Sequence, residues 1–222
     1  MVRDFQVTLS HFAAGAVLNE KNERFIILKK IKYGEADLII HALAMNGARV
    51  SFMARSALKS KKRFGGGILE PIHYVTLNYR ETSDPTKMKT LNEAILIDDF
   101  KEIRSDYEKL ELALFVVNCV SHVSQEGDAN SDFLFNLTGH TLKAVSQTLT
   151  PSLLKLHFCL KFLHQQGVIS MEPWMVPFLK TNINENVRLQ QVENINKTVD
   201  HFLDSIESLI LQYIKTADTG FS

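Results

Sequence analysis

Between residues 12 and 99 the apolar positions come in short β-branched or aromatic runs: "FAAGAVL", "RFIILKKIKY", "ADLIIHALA", "ARVSFMARS", "IHYVTLNYR" and "LNEAILIDD". Turn-forming or charged stretches ("NEKNE", "YGE", "MNG", "ETSDPTK") separate them. In "ARVSFMA", Val50, Phe52 and Ala54 alternate with Arg49, Ser51 and Met53; in "HYVTLNY", Val75, Leu77 and Tyr79 alternate with Tyr74, Thr76 and Asn78. A period of two predicts half-buried strands. Five or six short antiparallel strands in roughly 90 residues suffice for a small closed barrel or a small sandwich, and the pattern leaves both open.

From Ser105 the period lengthens. Leu110, Leu114 and Val117, followed by Ser121 and Val123, stand three or four apart and predict a helix. "NSDFLFNLTGHTLKAVSQTL" predicts a second, capped by Asn130 or Ser131. "TPSLLKLHFCLKFLHQQG" predicts a third, with Pro151 at its first position and Gly167 past its end. A last helix spans 192–215, its apolar face formed by Ile195, Val199, Phe202, Ile206, Leu209, Tyr213 and Ile214. Strands followed by helices make an α+β chain: a β-barrel or sandwich over 1–98 and an all-helical domain over 99–222. No pattern fixes the course of residues 169–192.

The charge distribution sharpens this division. The 222 residues carry 25 basic and 25 acidic side chains, a formal net charge of zero. Residues 1–90 nevertheless hold 15 cations against 8 anions, a surplus of +7, which leaves −7 for the remainder. That asymmetry suits one part that meets a polyanion and another that does not. Its densest portion is "ARSALKSKKRFGGGILEP", where Arg55, Lys59, Lys61, Lys62 and Arg63 precede Gly65, Gly66 and Gly67. The glycines do not make a nucleotide-phosphate loop, which needs a Lys and a Ser or Thr directly after the last glycine; they read as a flexible turn or hinge. The cations read as a mobile loop that binds phosphates. Lys29, Lys30, Lys32, Arg49 and Arg80 on neighbouring strands extend it into a basic groove. Of the interspersed aromatics, Tyr33, Phe52, Tyr74 and Tyr79 are expected in the core. Phe64, inside the polar stretch, is the one expected to stack on bases.

Other chemistry finds no support in the residues. His157 and His164 lie seven apart, two helical turns, too far to share one metal ion, and no hydrolase or metalloprotease signature occurs. Neither catalysis, a metal nor a cofactor is expected. Cys119 and Cys159 sit in apolar contexts and are expected as buried free thiols. No run reaches the roughly 18 apolar residues of a membrane span, so a cytoplasmic protein is expected.

The segment from "FIILKKIKYGEADLII" to "GGGILEP" resembles the N-terminal part of the bacterial DNA repair protein RecO family. The resemblance is carried by the Tyr33-Gly34-Glu35 turn, the glycine turn at Gly47, Ala54-Arg55 closing a strand, and a basic stretch leading to a strand at Pro71. It is good over roughly 24–98 and weaker through the helices. It implies an N-terminal OB-fold, a helical domain, and a nucleoid-associated recombination mediator rather than an enzyme. Such proteins bind single- and double-stranded DNA, anneal complementary strands, engage the C-terminal tail of the single-strand-binding protein, and work with RecR to load RecA. Many members place a glycine near position 55, where this chain has Ser56. Some carry a four-cysteine zinc site, which two cysteines cannot build. Taken without the resemblance, the residues also admit an OB-fold for RNA, or a protein-interaction adaptor whose acidic helical part offers a groove for an acidic-hydrophobic tail beside Lys155 or Lys161.

Overall fold

The computed structural model describes residues 20–81, 88–126 and 132–219; the strand expected over 12–18 and the cap expected at Asn130 or Ser131 lie outside them. Five strands, β1 (Glu20–Tyr33), β2 (Asp37–Ala44), β3 (Arg49–Ala54), β4 (Tyr74–Arg80) and β5 (Lys89–Asp98), close into a barrel in the order β1-β2-β3-β5-β4, with β4 returning to β1. All pairings are antiparallel except β3 with β5, which meet through Phe52↔Lys89 and Met53↔Thr90. The expected α+β class is thus what the chain adopts, and of the barrel and sandwich that the pattern leaves open the described strands form the barrel. The alternation in β3 and β4 puts Val50, Phe52, Ala54, Val75, Leu77 and Tyr79 inside. Phe25, Phe52 and Tyr79 pack edge-to-face there, with centroids 5.1–6.1 Å apart, and the Tyr79 hydroxyl donates to Glu23 Oε2 at 2.8 Å.

β1 serves two cores. Phe25 and Ile27 face the barrel interior, whereas Ile26 and Leu28 face the helices. A bulge then inserts Leu28, because Ile27 pairs with Ala42 and Lys29 with His41. One extra residue exchanges the faces of everything after it. Lys30 and Lys32 therefore share the face of their partners Ile40 and Leu38, the inward one, and Lys29 shares the outer face of His41.

Between β3 and β4 the chain forms one short turn of helix, α1 (Lys61–Phe64), and a 3₁₀ turn over Gly65–Gly67. Pro71 is not in a strand. Ile72 takes φ = 81° and donates its N–H to Ile27 O, while His73 O accepts from the Ile27 N–H; β4 begins only at Tyr74.

The helical part comprises α2 (Lys101–Arg104), α3 (Tyr107–Val123), α4 (Phe133–Gln147), α5 (Pro151–Gln165), α6 (Val176–Lys180) and α7 (Ile195–Thr219), with 3₁₀ segments at Pro173–Met175 and Ile183–Gln191. α5 is central and buried almost all round; α7 lays Ile195, Val199, Ile206, Ile210 and Ile214 against the core. α3 buries Leu112, Ala113, Val116, Val117, Cys119 and Val120; of the expected line Val117 is buried and Leu110 and Val123 pack on the same core, whereas Leu114 is exposed. Its run of consecutive apolar residues offers two faces, and packing against α4, α5 and α7 selects the one with Cys119. Both cysteines are free and buried, and desolvation pushes the Cys119 thiol up to about 12.

Ile26, Leu28, Leu43 and Ile72 of the barrel belong to the helical core. Gly139 of α4 stands over Ile26, whose Cδ1 lies 3.7 Å from where a Cβ would sit.

Candidate nucleic-acid interface

The cation-rich stretch is strapped to the barrel at each step. Ser56 takes the left-handed φ of 54°, and its N–H donates to Asp37 Oδ1 at 2.7 Å. The Leu58 N–H donates to Ala36 O at 3.0 Å, which ties residues 55–59 to the β1–β2 turn. Ser60 caps α1, its Oγ accepting from Arg63 N–H and, at 3.1 Å, from Arg63 Nε. The Arg63 guanidinium donates to Arg55 O at 2.9 Å and lies 5.0 Å above the Phe64 ring.

Phe64 is only 6% exposed and packs in the barrel core with Ala57 and Leu69. Two expectations change with it. The stretch is a folded turn rather than a mobile loop, because three apolar side chains in a polar segment are enough to pin it. Phe64 is an anchor rather than a surface for bases.

Of the aromatics interspersed among these cations, Tyr33 is the exposed one instead, at 55%. It ends β1 beside the turn that Ser56 and Leu58 grip, where Lys32 also lies. Around it at this end of the barrel are Arg55, Lys59, Lys61 and Lys62, all exposed, and α1 lies against β5, which opens with Lys89. Strand propensity argues for a core Tyr33. Its place next to a Gly-Glu turn, where a strand leaves the barrel, was the signal for exposure.

The remaining expected groove cations are dispersed. Lys29 is on the outer face of β1. Lys30 is ion-paired with Glu70, and Arg80 with Glu20 at 3.0 Å. Arg49 is part of the joint between the two halves: its NH1 donates to Ser121 O at 3.2 Å, and its Nε lies 3.7 Å from Glu126 Oε2. Among the described residues, none of Lys29, Lys32, Arg55, Lys59, Lys61 and Lys62 forms an ion pair. Apart from Lys29, the expected cations left unpaired are therefore gathered at one barrel end rather than along a groove reaching Arg49 and Arg80.

In the helical part, Lys155 is paired with Glu207 at 2.7 Å over Phe115, and Lys161 donates to Leu179 O at 3.0 Å. Lys155 does line a small pocket, but with Glu108 and Glu111 beside it and its own charge met by Glu207 that pocket does not suit an acidic tail. An apolar pocket of about 320 Å³ lies instead between barrel and helices, walled by Ile26, Tyr74, Ile97 and Phe135 with Lys143 and His140 at its edge. His157 is fully buried; its Nε2–H donates to Thr181 O at 3.1 Å and its Nδ1 accepts from Asn186 Nδ2 at 3.0 Å, which makes it a structural residue.

Among the described residues, no helix is long and apolar enough to cross a membrane. Residues 18–100 match the family described as Recombination protein O N terminal. Proteins named DNA repair protein RecO are similar over more of the chain. That of Desulfosudis oleivorans is 36% identical over 117 residues, 53% of this chain and 44% of the relative. The Thermodesulfovibrio yellowstonii protein is 33% identical over 129 residues (57% and 49%), and the Syntrophus aciditrophicus protein 30% over 148 (66% and 55%). The chain spans about half the length of these curated relatives. The N-terminal barrel, which carries the basic turn and both segments that hold it, is thus the part of the chain that matches the N-terminal family of recombination protein O, and the similarity to proteins named DNA repair protein RecO extends from it into the helices.

Proposed function

We propose that this chain is a non-catalytic recombination mediator that binds single- and double-stranded DNA at the basic end of its barrel and anneals complementary strands. The observation that carries the reading is the gathering of Arg55, Lys59, Lys61, Lys62 and Lys32, none of them ion-paired among the described residues, around exposed Tyr33. Cations held on a rigid turn pay little ordering entropy on meeting phosphates, and an aromatic among them supplies a sequence-tolerant stacking surface. The same charges screen one strand from the next, which lowers the repulsion that opposes annealing.

Residues 99–222 are the partner-binding part in this reading, towards RecR, the tail of the single-strand-binding protein and, indirectly, RecA. An acidic-hydrophobic tail suits the pocket beside Lys143 and His140 better than the engaged Lys155 and Lys161.

Anisotropy of a labelled single-stranded oligonucleotide over a salt series tests the DNA-binding part. Four or five neutralised phosphates give a log-log slope of about −3. Reversal of Lys61, Lys62 and Arg63 to Glu is expected to flatten that slope and slow annealing of complementary strands. Undiminished annealing by the reversed protein would sink the proposal, and a preference for matched RNA would move it to an RNA-binding role.

A further inference from the structure

Lys30 differs from Lys32, Arg55, Lys59, Lys61 and Lys62 of the basic barrel end in that, among the described residues, it already has an anion. The β1 bulge at Leu28 turns it to the inward face, into the mouth of a pocket of about 260 Å³. Lys61, Phe64, the glycine turn and Glu70 are among the residues that wall it. Lys30 is ion-paired there with Glu70, which is the only carboxylate between Asp37 and Glu81, a span holding seven cations. The polypeptide that makes the basic turn therefore also delivers a single negative charge to its base.

The surroundings leave this pair replaceable. The side chains of Lys30 and Glu70 are 30% and 36% exposed, so the carboxylate reaches water by rotating its own side chain. Its backbone stays fixed, with its N–H bonded to Gly67 O and its carbonyl accepting from the His73 N–H. At Gly66 nothing lies within 4 Å of where a side chain would start, so that wall is open to an incoming group. Lys61 lines the same pocket from the exposed side and leads inward from the solvent-facing cations.

We infer that Glu70 stands in for a nucleic-acid phosphate: it holds and neutralises Lys30 until a phosphodiester displaces it. The exchange replaces one negative charge by another, so Lys30 is paired throughout and no bare charge is left at the barrel mouth. The cost of expelling Glu70 lowers affinity, and the pair removes Lys30 from the cations that draw in a strand. This inference rests on the DNA-binding reading given above.

The test measures salt-dependent binding of a labelled oligothymidylate to the full chain as wild type, Glu70→Gln and the double variant Lys30→Gln/Glu70→Gln, with thermal unfolding of each. Glu70→Gln keeps the shape and releases the lysine. Its affinity at low salt is expected to rise about two- to fivefold at an unchanged log-log slope, because Lys30 meets the same phosphate in both complexes. The double variant is expected to lose that gain. Should Glu70→Gln unfold at lower temperature, Glu70→Asp, which keeps the charge but shortens its reach, is to show a gain in the same direction. Binding unchanged or weakened in both Glu70 variants overturns the inference while the wild-type slope still upholds DNA binding. A wild type with no salt-dependent binding removes the DNA-binding reading itself, and this inference with it.

Discussion

The Phe64 ring does for the basic turn what a strand does for a sheet: it fixes the backbone that carries the charges. Lys61, Lys62 and Arg63 precede it directly, and Arg63 folds back over its face, so burial of one ring sets the direction of its neighbours. Tyr33 has the opposite balance, with a ring mostly in water and little packing to lose. Phe64→Ala should therefore cost about 3 kcal/mol in urea unfolding, as large-to-small changes of buried aromatics do. Tyr33→Ala should change stability by no more than about 0.5 kcal/mol. Against a single-stranded oligonucleotide the order reverses, and loss of one stacked base at Tyr33 weakens binding by about 1–3 kcal/mol. A Tyr33→Ala protein that binds as well as wild type would remove this residue from the face.

At the scale of elements, the barrel is held to the helices by a strand edge rather than by apolar contact alone. β3 meets β5 over only two residues. At its other end the chain leaving α3 takes the place of a neighbour: Arg49 N–H donates to Gln125 O at 2.9 Å, and Glu126 accepts from the Ser51 N–H at 2.8 Å and its hydroxyl at 2.9 Å. His41 Nδ1 lies 2.8 Å from the same hydroxyl, and burial, with Arg49 nearby, lowers its pKa. Glu126→Ala removes both Ser51 bonds and the carboxylate facing Arg49, for an expected loss of about 1–2 kcal/mol in urea unfolding. Glu126→Gln, which can still accept from Ser51, should lose less, and equal losses would mean that the ion pair, not the strand-edge bonds, carries the joint.

This clamp also marks how far the sequence could be read. β3 and β4 were legible because their period of two is set by the barrel wall, and α5 because Pro151 and Gly167 bracket it. The bulge at Leu28 was not legible, since every residue of "FIILKKIKY" suits a strand and only the register with β2 exposes the extra one. Lys29, Lys30 and Lys32, adjacent in the chain, were therefore read as one groove although they divide between two faces. Phe64 was misread for a related reason: a hydrophobic residue among lysines has no local pattern, and its burial depends on a barrel opening made by distant strands.

At the scale of the whole molecule, the opposed charges of the two halves belong to the surface, whereas cohesion comes from a helical core that reaches into the barrel through Ile26, Leu28, Leu43 and Ile72. His157 lies deep in that core and ties α5 to Thr181 and to Asn186 of the 3₁₀ segment. Burial, and secondly the positive charge of Lys161, lower its pKa from 6.5 to about 4. Its Nδ1 accepts the Asn186 bond only while it is unprotonated. Between pH 6.5 and 4 the unfolded chain thus binds a proton at this residue that the folded chain refuses. Its contribution to stability is complete above pH 6.5 and is lost as pH falls towards 4, by about 3 kcal/mol in all. His41 and His73, whose pKa values burial also lowers, act in the same direction. Urea unfolding at intervals from pH 7.5 to 4 should show stability falling steadily. His157→Leu should be less stable than wild type at neutral pH, because it strands Asn186 and the Thr181 carbonyl, yet its decline with acid should be shallower by about one proton over that window. If wild type and His157→Leu lose stability in parallel, the acid sensitivity lies with other groups, and the Asn186 bond is held by a histidine that titrates normally.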